Sequence, residues 1–293
     1  MEINHIWTEE NFIFFNWPIC NKCNFKCYYC NAGNSENNNY FSNYKLTISK
    51  LKNIKRKFKV CITGGEPTLH PNIEEILKNL SSCEFLEQAN LFTNLSKPIE
   101  FFKNIDELVS NNITIYASFH PEYHNEEFLK KCLYINKLKN LNFSVNVSIA
   151  DDKKFWDKTK QILDEFIKNN IDFMVNILGD SQYYKNNYDD SIYNEFKKYF
   201  IETPTYDDIN IETNNKTFKI KSYELKEKEL NKFKGFKCNC NIFKILENDT
   251  IVKICSEEKA PMVLKDSYFD EKIICPFEKC ESDVMLYYEK WKN

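Results

Sequence analysis

The stretch WPICNKCNFKCYYCNAG, Trp17 to Gly33, places Cys20, Cys23, Cys27 and Cys30 within eleven residues, and what so many neighbouring thiols can do decides how the rest of the chain is read. Four cysteines in two C-x-x-C pairs are common donors to a structural zinc ion. Here only three residues separate the pairs Cys20/Cys23 and Cys27/Cys30, where a ribbon-type site leaves about fifteen to twenty. Closing a tetrahedron across so short a gap is strained. A ferredoxin-type carrier runs C-x-x-C-x-x-C-x-x-x-C and continues with Pro, whereas this chain has its three-residue gap elsewhere and Asn31 in the Pro position. Taken as Cys23, Cys27 and Cys30, the spacing is C-x-x-x-C-x-x-C with an aromatic, Tyr29, before the last thiol. Three thiolates can bind three irons of a 4Fe-4S cluster and leave the fourth without a protein ligand, as catalytic metal sites keep an open position.

The remaining composition is that of an ordinary globular protein. The chain has 293 residues, 42% of them hydrophobic and 15% aromatic, enough for one barrel-sized domain or a main domain with an appendix. A net charge of -3 and a pI near 6.0 disfavour general nucleic-acid binding. The N-terminal sequence MEINHIWTEEN has no basic segment followed by an apolar run, and no window offers about eighteen consecutive apolar residues. The expectation is a cytoplasmic protein with no membrane partner. In that reducing setting twelve cysteines point to metal or cluster ligation, not to a disulfide framework.

Between the cysteine-rich ends, apolar runs predict strands from Phe12 to Trp17, Lys59 to Thr63, Ala89 to Thr93, Thr114 to Phe119, Phe143 to Ile149 and Phe173 to Leu178. Helical spacing intervenes between most of them, as in PNIEEILKNL, where Ile73, Ile76, Leu77 and Leu80 fall on one face, and in EEFLKKCLYINKL. Six strands alternating with helices imply parallel βα units. After about residue 180 the sequence turns polar and rich in Asp and Tyr. Following the run KVCIT comes GGEPTLHP, Gly64 to Pro71. A glycine pair at a strand end lets the backbone approach a ligand closely, and a following helix N-terminus favours negative charge.

CNFKCYYC and GGEP, in that order and each at the C-terminal end of a predicted strand, resemble the two signatures of the radical S-adenosylmethionine superfamily. The resemblance implies a partial (β/α)6, TIM-like barrel over residues 8–190. It implies a 4Fe-4S cluster on Cys23, Cys27 and Cys30, with Cys20 a non-ligand, whose open iron chelates the methionine moiety of S-adenosylmethionine. Gly64, Gly65, Glu66 and Pro67 would then contact the cofactor, with Tyr29 beside it and Asn94, Ser118 and Asn146 at later strand ends. His120, the better placed of His120 and His124, is the candidate substrate-facing acid or base. Both also read as ordinary loop histidines.

Seven cations and no acidic residue lie between Asn37 and Gly65, along an apolar stripe of Ile48, Leu51, Ile54 and Phe58. This reads first as a solvated helix face and second as a docking patch for an acidic, flavodoxin- or ferredoxin-type electron donor. Cys238, Cys240, Cys255, Cys275 and Cys280 follow as C-x-C, fourteen residues, C, nineteen residues, C-x4-C, around two β-like runs joined by ENDT. That order resembles the twitch and SPASM extensions, which implies a small β-hairpin iron-sulfur extension over residues 233–293, joined by a linking segment 191–232. The resemblance implies a second, auxiliary iron-sulfur cluster on Cys238, Cys255, Cys275 and Cys280, with Cys240 the runner-up and zinc the plainer alternative. The expected activity is radical hydrogen abstraction from an organic substrate, a small molecule or sugar ahead of a peptide or protein, with net oxidation through the second cluster. A non-catalytic two-cluster electron carrier is the competing class.

Overall fold

The computed structural model describes residues 2–8, 12–30, 40, 43–149, 152–177, 190–201, 208–214, 216–221, 225, 228–247, 250–253, 259–262, 264, 266–280 and 289–292. After β1 (Ile3–Trp7) come six strands that pair parallel in chain order: β2 (Ile13–Cys20), β3 (Phe58–Gly64), β4 (Leu86–Thr93), β5 (Ile113–Phe119), β6 (Leu141–Ile149) and β7 (Phe173–Ile177). They are the six strands expected from the apolar runs. The intervening helices are α1 (Tyr44–Lys52), α2 (Ile73–Ser81), α3 (Ile99–Leu108), α4 (Glu126–Ile135) and α5 (Trp156–Lys168).

Alternation along the strands separates two faces. Phe15 and Trp17 of β2, Val60 and Ile62 of β3, Leu91 of β4 and Ile115 of β5 are buried in one core with Leu51, Leu77, Phe102, Cys132 and Leu163 of the helices. The other face carries Asn16, Thr63, Asn90, Tyr116 and Asn146 and has no helix residue in that core. Crossover helices on one side only are what a sheet curling toward a barrel requires. The architecture is α/β, a partial barrel with an open seam.

α6 (Asp190–Ile201), β8 (Asp208–Thr213) and β9 (Thr217–Lys221) occupy much of the stretch read above as a linking segment. Next come β10 (Lys237–Cys238), β11 (Phe243–Glu247), β12 (Thr250–Lys253), β13 (Lys259–Pro261), β14 (Ile273–Ile274) and β15 (Lys290–Trp291). The hairpin β11–β12 brackets the ENDT turn candidate, but it is not a free appendix. β11 pairs parallel with β2, Phe243 opposite Phe14, and the two rings stack at 5.1 Å. The main sheet, among the described residues, therefore runs β13-β12-β11-β2-β3-β4-β5-β6-β7, and the hairpin covers the edge that β2 would otherwise expose. A second sheet, β14-β10-β15-β1-β8-β9, joins the two ends of the described chain, with β1 between β15 and β8. Its core is Ile6, Ile209, Ile211, Phe233 and Phe236, packed with Cys275 and Cys280.

Candidate active site

The cysteine loop leaves the end of β2, and GGEP leaves the end of β3 beside it. Gly65 N–H donates to the Cys20 carbonyl at 2.8 Å and Glu66 N–H to the Lys22 carbonyl at 2.7 Å. A Cβ on Gly64 would stand 2.1 Å from the Cys20 oxygen, and one on Gly65 would stand 2.3 Å from the Lys22 oxygen. The close approach that these glycines allow is thus to the chain itself, at the root of the cysteine loop. Gly64 also adopts φ +136°, a conformation that favours glycine.

Glu66 is buried and extends the same seam. Its carboxylate accepts from Thr68 N–H and Oγ1 and from Thr93 Oγ1 through one oxygen, and from Asn94 N–H through the other. Burial pushes its carboxyl pKa up against the pull of these donors. Each carboxylate oxygen faces a backbone N–H, so Glu66→Gln places an amide NH2 against a donor whichever way it turns. The expected loss is about 1–3 kcal/mol, the range for a buried group left unsatisfied, read as a lower urea midpoint at unchanged slope. A midpoint equal to wild type would mean that the seam rearranges freely.

From Asn94 the network returns to the loop, because its Nδ2 donates to Asn24 Oδ1 at 2.9 Å. Phe25 then fixes the loop to the β5 end. Its ring stacks on Tyr123 at 4.2 Å and meets the edges of His120 and His124, while Lys26 N–H donates to the Tyr123 hydroxyl at 2.9 Å. This contact was out of reach of sequence reading. Phe25 lies in the cysteine motif and Tyr123 between His120 and His124, but nothing local pairs residues ninety-eight apart.

His120 Nδ1 lies 2.7 Å from the Tyr29 hydroxyl and 3.6 Å from Cys27 Sγ. Burial lowers its pKa to about 4 and pushes the Tyr29 phenol up, so Tyr29 keeps its proton and donates it to a neutral imidazole. The geometry makes His120 a brace for the cysteine loop at Nδ1. His124 has both ring nitrogens engaged. Nδ1 accepts from His120 N–H at 2.8 Å, so the proton sits on Nε2 and is donated to the Asn94 carbonyl at 2.8 Å.

Burial lowers the His124 pKa to about 3, below its unfolded value near 6.5. A depressed folded pKa gives stability that is present above about pH 6.5 and lost as pH falls from there toward 3. For this one group the slope reaches at most about 1.4 kcal/mol per pH unit. His124→Gln should flatten the acid limb of stability against pH by up to one proton, measured by urea titration across that range. Parallel limbs for wild type and variant would exclude His124 as the source.

The three motif thiols belong together electrostatically. Cys27 is buried and Cys23 and Cys30 are half-buried; burial raises the Cys27 pKa to about 11, with Cys30 and Cys23 adding to the rise. Cys30 N–H also donates to the Cys27 carbonyl at 3.0 Å. Cys20 instead points its thiol at the Glu66 and Lys22 carbonyls, and burial, reinforced by Glu66, raises its pKa to about 11. Among the described residues no three His, Cys, Asp or Glu side chains close around a single metal ion. Three mutually interacting thiols on one braced loop suit a thiolate-ligated cluster.

Asn94, Ser118 and Asn146 stand at neighbouring strand ends, with Ser118 and Asn146 directly in register and Asn146 Oδ1 accepting from Asn176. An open pocket of about 410 Å³ at this rim is lined by Tyr28, Glu122, Asp152 and Lys154. In the C-terminal region, Cys238 on β10 stands opposite Ile273 of β14, and Cys275, just past β14, donates its N–H to the carbonyl of Phe236, just before β10. The Cys240 thiol holds the Cys238 pKa down, with burial opposing and Lys290 assisting. Cys280 is tied to Asn231 through both backbone groups. Cys255 lies outside the described residues.

Four of the seven cations between Asn37 and Gly65 meet acidic partners. Lys45 pairs with Glu75, Lys55 with Glu84, Arg56 with Asp270 and Lys57 with Glu87. Exposed pairing of this kind weakens the field that those four cations would otherwise contribute.

The family model described as the Radical SAM superfamily matches residues 17–190, more than half of the chain and both motifs. The chain belongs to the radical SAM superfamily. Curated relatives include an uncharacterised protein of Methanocaldococcus jannaschii, 30% identical over 54% of this chain and 58% of that one. Another is the GTP 3',8-cyclase of Aquifex aeolicus, 28% identical over 64% of each. The chain thus spans about six-tenths of the length of these relatives. Among solved structures, anSMEcpe with bound AdoMet has a TM-score of 0.51 at 14% identity, covering 88% of this chain and 80% of that one. Streptococcus suis SuiB bound to precursor peptide SuiA has 0.50 at 18%, covering 64% and 45%. At these identities the likeness is one of fold. Radical SAM membership supports an enzyme, and the family implies a 4Fe-4S cluster and S-adenosylmethionine. Among the described residues no helix is long and apolar enough to cross a membrane.

Proposed function

We propose that Cys23, Cys27 and Cys30 hold the 4Fe-4S cluster of this radical SAM enzyme and that the chain acts on a small organic molecule, a sugar ahead of a peptide. When bound, the cluster and S-adenosylmethionine supply reductive cleavage to a 5′-deoxyadenosyl radical that abstracts hydrogen from the substrate. The observation that carries this reading is the seam from Cys20 and Lys22 through Gly65 and Glu66 to Asn94 and Asn24. It locks the two signature motifs into one rim. On that rim the backbone of Gly64 to Pro67, with Tyr29, Asn94, Ser118 and Asn146, would orient the cofactor. Glu66 contributes by holding the motif, since its carboxylate is already occupied by four protein donors.

Cys238, Cys255, Cys275 and Cys280 would hold a second iron-sulfur cluster, which would supply an electron acceptor for a net oxidation. A flavodoxin- or ferredoxin-type protein would supply the reducing electron in the cytoplasm. The test is anaerobic reconstitution with iron and sulfide, then dithionite and S-adenosylmethionine, with chromatography for 5′-deoxyadenosine. Formation of that product supports the reading. Iron binding without cleavage, in the presence of candidate substrates, would favour an electron carrier, and iron for one cluster alone would remove the second.

A further inference from the structure

The inner face of the sheet, below the rim, is built from neutral polar groups. Across β2 to β5 the row Asn16, Cys61, Asn90 and Thr114 is in register, each residue opposite the next. One step toward the rim, Phe92 stacks on Tyr116 at 5.1 Å, followed by Ser144 in register. From the Asn16 row to the rim, the inward positions of β2 to β7 carry no Asp, Glu, Lys or Arg among the described residues. The ionised side chains Glu122, Asp152 and Lys154 sit outside, around the rim pocket.

Asn90 stands out in this row. It is 8% exposed, its Nδ2 donates to Cys61 Sγ at 3.6 Å, and its Oδ1 has no partner. Exchanging the amide oxygen and nitrogen turns the Cys61 contact around and leaves the same end unsatisfied. A buried amide oxygen without a donor is a costly arrangement unless a donor arrives from elsewhere. Asn90 lies on β4 four residues before Asn94, about 13 Å deeper along the strand, one step below the Phe92–Tyr116 pair.

We infer that this face binds a neutral, hydroxyl-rich ring, a sugar or cyclitol without phosphate or carboxylate, and that Asn90 selects it. The inference rests on the proposed radical SAM reading of the rim above it. A ring of this kind supplies an O–H for Asn90 Oδ1 and further hydroxyls for Asn16, Tyr116 and Ser144, while its C–H face covers the Phe92–Tyr116 pair. Phosphate or carboxylate would need Arg or Lys, which none of these inward positions offers among the described residues; Lys59, on the same face one position deeper than Cys61, has its ammonium over the Phe12 ring at 3.9 Å. A triphosphate such as that of GTP is therefore disfavoured, although cyclases of GTP are among the relatives.

The test uses the reconstituted full chain with S-adenosylmethionine, titrated calorimetrically with D-glucose, myo-inositol, glucose 6-phosphate and GTP. Wild type should bind a neutral probe saturably, with the phosphorylated probes weaker by about tenfold or more, and Asn90→Leu should weaken the neutral probe by about tenfold, the equivalent of one hydrogen bond. Tighter binding of a charged probe, no neutral binding at millimolar concentration, or an unaffected Asn90→Leu would each overturn the inference. The wild-type comparison stands whether or not the variant folds. Cleavage of S-adenosylmethionine, assayed in the same samples, separates the two readings. Cleavage with no neutral binding sinks the substrate assignment alone, and neutral binding with no cleavage sinks the proposed reaction.

Discussion

Replacing Cys27 with Ala should reduce 5′-deoxyadenosine formation by more than about 100-fold, beyond the 10–100-fold that loss of an outer-shell partner typically causes. Cys20→Ala should leave the iron and sulfide content of the reconstituted rim unchanged. The two thiols are seven residues apart, and both are buried with pKa values raised to about 11, so reactivity alone does not separate them. Their neighbours do. Cys27 is surrounded by Cys23, Cys30 and the His120–Tyr29 pair, whereas Cys20 is committed to the Glu66 and Lys22 carbonyls on the far side of the seam. A bound cation reverses the pKa logic for thiols that face it and does nothing for one turned toward carbonyl oxygens. Iron and acid-labile sulfide, counted beside product formation, give the check. Loss of iron in Cys20→Ala with retention in Cys27→Ala would reassign the ligands.

The six parallel strands were legible because each is an apolar run with polar breaks, and burial beneath helices demands such runs. The two motifs were legible because thiol spacing and adjacent glycines are local. What sequence reading missed is pairing at a distance. The hairpin around ENDT was visible, but its parallel attachment to β2 depends on an edge that a single strand's sequence does not announce. β1 is a short run, INHIW, whose partners begin near residues 208 and 290, so nothing beside it marks it as the centre of a sheet. Likewise the glycine pair was recognised as a place of close approach, while the approaching group proved to be the loop's own carbonyls.

Gly65→Ala should be among the most damaging single substitutions outside the thiols. Its φ is not in the left-handed region, so the cost is steric and not one of intrinsic strain. The added Cβ would lie 2.3 Å from Lys22 O, 2.5 Å from Lys22 C and 2.8 Å from Asn21 O, all backbone atoms that no rotamer change can move. Relief requires the loop root to retreat, and retreat breaks the Gly65–Cys20 and Glu66–Lys22 hydrogen bonds together. Overpacking of this kind costs about 1–3 kcal/mol before lost bonds are counted, and two hydrogen bonds add about 1–3 kcal/mol more. Gly235→Ala provides the contrast, with φ +83° but nothing within 4 Å of its Cβ, so it should lose only the left-handed penalty of about 1–2 kcal/mol. Urea unfolding ranks the two, and iron retention after desalting reads the loop separately. Gly65→Ala should lose iron, because the thiols of Cys23, Cys27 and Cys30 are positioned through the root that it displaces. If Gly65→Ala instead unfolds at the wild-type midpoint and keeps its iron, the loop root is compliant, and the requirement for glycine at that position lies with the bound cofactor.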